Sequence, residues 1–138
     1  MNADGLDGLR VLIVDDEEDF ARTLASRLEL RGLQAVCAFS GEKGLEALRA
    51  GPPDILLLDM RMPGMPGVEL LRALRTDNTV RGGAALPVII VSGHAMTSDM
   101  ATVQDLGIQG HVAKPVDFSE LLESIRHAVR HTRKGDGG

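Results

Sequence analysis

The chain has 138 residues, enough for one domain with a single substantial core and too few for several. Only 2% of it is aromatic, with no Trp or Tyr, so aliphatic side chains must fill the interior. A net charge of −5 argues against direct nucleic-acid binding, no apolar run is long enough to span a membrane, and the lone Cys37 cannot close an internal disulfide. The opening Met1-Asn2-Ala3-Asp4 lacks the regions of a signal peptide, and a reducing cytoplasm fits best.

Residues 1–8 read as a polar, mobile lead-in, followed by a domain over 9–132 and a flexible tail or linker remnant over 133–138. Leu9 to Val14 predicts a first strand that ends on Asp15-Asp16-Glu17-Glu18-Asp19. A helix then carries Phe20, Leu24 and Leu28 on one face and stops at Gly32; its acidic first turn complements the helix dipole. Leu33 to Ala38 is a weaker strand, and Ser40 caps a short helix presenting Leu45 and Leu48.

Asp54-Ile55-Leu56-Leu57-Leu58-Asp59 is an unbroken apolar run that ends on a carboxylate, the pattern of a strand covered on both faces. After two Pro-Gly turns, Val68, Leu71 and Leu74 mark a third helix, and Thr76 to Leu86 reads as a surface excursion. Pro87 to Ser92 is another buried strand. Met96, Met100 and Val103 mark the next helix, closed by Gly107, and Gly110 to Ala113 leads into Lys114-Pro115. The last helix, with Asp117 as its N-cap, carries Phe118, Leu121, Leu122, Ile125 and Val129; the cations near its end suit the dipole better than a nucleic acid.

Alternating strands and helices predict an α/β domain, a doubly wound five-stranded parallel sheet with helices on both faces. Right-handed crossovers bring every strand end to one edge, which then collects Asp15, Asp16, Asp59, Ser92 and Lys114. Three carboxylates sharing a pocket either hold protons or bind a cation, and hard oxygen ligands favour Mg²⁺ or Mn²⁺. Beside such an ion Asp59 can act as a nucleophile toward phosphorus, while Lys114 and Ser92 serve phosphoryl oxygens. Each residue also has a plain structural use: Asp59 as a turn cap, Asp15-Asp16 as an acidic helix start, Lys114 as a solvated lysine, Ser92 as a strand-ending hydroxyl.

The pieces Val14-Asp15-Asp16-Glu17, Leu58-Asp59-Met60-Arg61-Met62-Pro63-Gly64, Val91-Ser92-Gly93 and Lys114-Pro115 together resemble the receiver domain of two-component response regulators, from about Leu9 to Arg130. The resemblance implies a flavodoxin-like strand order 2-1-3-4-5 and a phosphoryl group received on Asp59 from a sensor histidine kinase or histidine phosphotransfer protein. It also implies a metal held by Asp15, Asp16, Asp59 and the backbone carbonyl of Arg61, and a cis bond at Lys114-Pro115. A downstream effector or an output domain would read the state of the face built from the fourth helix, fifth strand and fifth helix. The domain would accept and slowly lose a phosphoryl group without being a turnover enzyme.

The chain departs from the family at His111, where Tyr or Phe is common; a switch there would use an imidazole, with a half-exposed histidine of no switching role as the plain alternative. Arg61, Gly93 and His94 fall at the mouth of the site. Two other classes compete. A Mg²⁺-dependent phosphohydrolase of the haloacid-dehalogenase type would place a second Asp two residues after the nucleophile, where this chain has Arg61. A nucleotide- or flavin-binding module would put glycines and hydroxyls after the first strand, where this chain has carboxylates. A receiver-like binding module that is never phosphorylated is the remaining alternative.

Overall fold

A computed structural model describes residues 5–93 and 99–137, with side chains up to 130. The elements run β1 (Arg10–Val14), α1 (Glu18–Leu30), β2 (Gln34–Ala38), α2 (Gly41–Ala50), β3 (Ile55–Leu58), α3 (Gly67–Thr76), β4 (Val88–Ser92), α4 (Met100–Leu106), β5 (Gly110–Ala113) and α5 (Phe118–Gly137). The strands form one parallel sheet in the order β2-β1-β3-β4-β5.

Apolar runs in the three central strands follow from burial on both faces. Val11, Ile13, Ile55, Leu57, Ile89 and Val91 point into one core with α1 and α5, while Leu12, Val14, Leu56, Leu58, Val88 and Ile90 point into another with α2, α3 and α4. The single core expected from chain length is thus two half-cores divided by the sheet. β2 is an edge strand buried only at Ala38, and its Val36 is exposed, which is why its sequence pattern is weak.

Helix ends follow local chemistry. Ser40 Oγ accepts the Lys43 N–H at 3.1 Å at the start of α2, and Asp117 accepts the Glu120 N–H at 3.1 Å before α5. α1 closes at Gly32, whose φ of +93° lets Gly32 N–H reach Glu29 O while Leu33 N–H reaches Leu28 O. The start of the chain is less detached than its composition suggested, since Leu6 is buried in the first core and Gly8 N–H donates to Gly32 O. α5 runs to Gly137, past the boundary expected at 132.

The segment between α3 and β4 runs largely along the surface, as its length and glycines suggested, but it is anchored inward at a few points. Val80 and Leu86 are buried, and the Arg75 guanidinium ties the segment down by donating to Gly83 O at 2.8 Å and Leu86 O at 2.7 Å. The same group donates to Leu106 O and Gly107 O at the end of α4, satisfying carbonyls that the helix leaves open. Burial pulls the Arg75 pKa below its ordinary value, because no carboxylate offsets the lost hydration. Arg75→Ala should therefore destabilise the domain by on the order of 3 kcal/mol in urea unfolding, whereas Arg49→Ala, which removes solvent-accessible bonds to Asp77 and Thr79, should shift the midpoint far less.

Candidate functional site: an acidic cleft at the sheet edge

Register builds the site. Val14 pairs with Leu58 and Leu58 with Ile90, so the next residues, Asp15 and Asp59, emerge side by side at the carboxyl edge. Asp59 N–H bonds Val14 O at 2.9 Å and Asp15 N–H bonds Ala38 O at 3.0 Å, which fixes both backbones. Ser92 pairs with Ala113, and Lys114 N–H returns to Ser92 O at 2.8 Å, bringing the last two groups to the same rim.

Asp15, Asp59 and Ser92 are buried, with relative exposures of 1%, 5% and 2%. Asp15, Asp16 and Asp59 each offer a carboxylate oxygen, and these atoms lie within 4.8 Å of one another. Asp16, Asp59, Arg61, Ser92, Gly93, Lys114 and Pro115 line one open cleft together with Glu17, Phe20 and Val116. The Lys114-Pro115 peptide is cis. Gly67 closes the floor from below: a Cβ there would lie 2.3 Å from Asp59 O and 2.8 Å from Met60 Cα, so only glycine lets α3 start against this backbone.

Electrostatics follow from this crowding. Burial pushes the Asp59 carboxyl up from 3.8 to about 6, and the negative charge of Asp15 adds to the rise, while Lys114 and the Arg61 N–H oppose it. Burial likewise raises Asp15, against the pull of its bonds from Lys114 and from Glu17 N–H. Burial disfavours the Lys114 ammonium too, yet its contacts with Asp15 and Glu17 more than compensate and hold its pKa above the usual value. Three clustered carboxylate oxygens are a fitting donor set for a hard divalent cation.

Two neighbours of Lys114 were not assigned to the site from the sequence. Its Nζ lies 2.8 Å from Asp15 Oδ2, 2.5 Å from Glu17 Oε1 and 4.4 Å from the centroid of the Phe20 ring. Glu17 had a sufficient use as an acidic helix start, and Phe20 as an apolar helix position; 97 residues separate Glu17 from its partner. Their only sequence signal was adjacency to Asp15-Asp16.

His111 is not in the cleft. It is exposed on β5, in a separate groove lined by Met100, Gln104, Ile108, Gln109 and Gly110. His94 and Met96 lie outside the described residues. Cys37 donates its S–H to Ala21 O at 3.4 Å on strand β2, a packing role.

A doubly wound sheet whose carboxyl edge gathers three acids, a hydroxyl and an ammonium defines an α/β module with an acidic cleft rather than a nucleotide-loop protein. The chain belongs to the response regulator receiver domain family, whose profile matches residues 11–126. It is 37% identical over 120 residues to the transcriptional regulatory protein KdpE of Mycobacterium tuberculosis, and 39% identical over 121 residues to the uncharacterized transcriptional regulatory protein YkoG of Bacillus subtilis. Each match covers 87% of this chain and 50% of the relative, so the chain spans about half the length of these relatives. Among solved structures, a receiver domain from Methanospirillum hungatei superposes with a TM-score of 0.85 at 26% identity, covering 94% of this chain and 99% of that one. A receiver protein from Pseudomonas putida gives 0.78 at 32% identity, covering 86% and 95%. The family, together with Arg61 at the second-acid position, displaces the hydrolase alternative.

The raised Asp59 pKa has a consequence for the metal-free fold. Between about pH 4 and 6 the folded state holds a proton on Asp59 that the unfolded chain has lost, so this group's stabilisation is complete below about pH 4 and is lost as pH rises through 6. Asp59→Asn should then stabilise the protein in EDTA at pH 7.5 by about 2–3 kcal/mol, with the gain vanishing near pH 4. Paired urea titrations at the two pH values measure this; no gain at pH 7.5 would contradict the assignment.

Proposed function

We propose that this receiver domain accepts a phosphoryl group on Asp59 from a histidine kinase or histidine phosphotransfer protein and thereby shifts a conformational equilibrium. The observation that carries the reading is the position of Asp59: buried on the cleft floor, within carboxylate reach of Asp15 and Asp16, with Lys114 and Ser92 lining the same cleft. Asp15, Asp16, Asp59 and the backbone carbonyl of Arg61 would hold Mg²⁺ or Mn²⁺, which when bound offsets the negative charge of the acids and of an approaching phosphate.

The chain's own groups do the rest. An ionised Asp59 oxygen forms a bond to phosphorus as the bond from phosphorus to the donor imidazole nitrogen breaks, and the imidazole leaves with the electron pair and takes a proton. Lys114 balances charge on the transferred oxygens, and the Ser92 hydroxyl donates to another of them. Gly93 leaves room for the group beside the backbone, where among the described residues a Cβ would meet the Lys114 side chain at 3.8 Å. Water later returns the carboxylate, so the domain is an acceptor and not a turnover enzyme.

The α4-β5-α5 face would report the change to an effector or an attached output domain. His111 lies on that face beside Met100 and Ile108, which supports a switching role for its imidazole. NMR of free and activated protein should show its environment change; an unmoved His111 resonance removes it from the switch. Incubation with Mg²⁺ and a small phosphodonor should add one phosphoryl mass to the wild type and none to Asp59→Asn, while continuous phosphate release from unrelated esters would instead support a hydrolase. Arg61 lines the mouth of the cleft, where its guanidinium can meet phosphoryl oxygens or impede water. Arg61→Ala should therefore change the decay rate of the adduct more than the unfolding midpoint; equal decay rates would exclude this role.

A further inference from the structure

An ammonium group can donate in three directions, and three partners already surround that of Lys114. They are Asp15 Oδ2 at 2.8 Å, Glu17 Oε1 at 2.5 Å and the face of Phe20 at 4.4 Å. A phosphoryl oxygen on Asp59 that takes a bond from Lys114 competes with them for the ammonium. Asp15 is held in place: its side chain is 2% exposed, its other oxygen accepts the Glu17 N–H at 2.9 Å, and it belongs to the acid cluster. Phe20 packs from α1 against the first core. Glu17 is different. Its backbone is fixed as the N-cap of α1, but its side chain is 63% exposed and its carboxylate meets Lys114 at the solvent boundary, so water can take over that carboxylate at little cost.

We propose that Glu17 is an exchangeable counter-ion for Lys114, a positioning residue that yields the ammonium to an incoming phosphoryl oxygen and reclaims it when that group departs. The inference rests on Asp59 being the phosphoryl acceptor. It assigns Glu17 a defined effect: its carboxylate competes with the phosphoryl group for one cation, weakening the pocket's hold on that group and holding the ammonium in place when the pocket is empty. Nothing covalent is asked of Glu17, only a change of partner.

Beryllium trifluoride, a phosphoryl mimic, tests this with the full chain and Mg²⁺, by ¹⁹F NMR titration of wild type, Glu17→Gln and Glu17→Asp. Glu17→Gln removes the charge; Glu17→Asp keeps it but shortens the arm, so the contact with Lys114 is lost. Both variants should bind the mimic about two- to five-fold more tightly, the span set by an exposed ion pair, and both should show a displaced Lys114 ¹⁵Nζ resonance before the mimic is added. Tightening in Glu17→Gln with wild-type affinity in Glu17→Asp would mean that the general negative field is responsible, and overturns the proposal. Unchanged or weaker binding in both variants overturns it as well, while leaving Asp59 as acceptor. Absence of binding by the wild type would remove the acceptor reading and this inference with it.

Discussion

The structure depends on carboxylates forced together at the end of a parallel sheet and held there by one lysine. Asp15 and Asp59 leave adjacent strands side by side, are almost wholly shielded from water, and repel one another enough to help lift the Asp59 pKa to about 6. Lys114 reaches into this group and is bonded directly to Asp15. Such an arrangement is costly in the empty protein, and its cost is what makes it responsive: any group that brings positive charge, or removes a negative one, is favoured.

The remainder of the fold makes that concentration of charge tolerable. Three central strands are apolar on both faces and sandwiched between two half-cores, so the sheet cannot relax by rotating a strand or slipping its register. Backbone bonds from Asp59 N–H to Val14 O and from Lys114 N–H to Ser92 O hold the strand ends while their side chains repel or attract. Gly67 adds a packing constraint, bringing the start of α3 against the Asp59 backbone so that the acid has little freedom to withdraw. The fixed and movable parts of the site differ accordingly. Asp15, Asp59 and Ser92 are set in buried positions, while Glu17 and Arg61 stand at the solvent boundary where a change of partner costs little.

Away from the cleft, Arg75 shows how a single buried cation can organise backbone instead of side chains. Its guanidinium gathers carbonyls from the α3-β4 segment and from the end of α4, joining two pieces of backbone. The end of α4 is therefore anchored. The groove between that helix and β5, which contains His111, borders the anchored end.

The sequence by itself determined the layering, the strand order through the family resemblance, and the convergence of Asp15, Asp16, Asp59, Ser92 and Lys114. These were legible because two-sided burial writes unbroken apolar runs and because right-handed crossovers send every strand end to one edge. The observed sheet has that strand order. Only the tertiary structure decided which neighbour each charged group meets. Glu17 and Phe20 join Lys114 across most of the chain, Val80 and Leu86 fold inward beneath Arg75, Leu6 belongs to the core, and His111 faces a different groove from the acids. Local pattern cannot carry such facts, since a side chain's partner is fixed by distances through space that only packing of the whole chain sets.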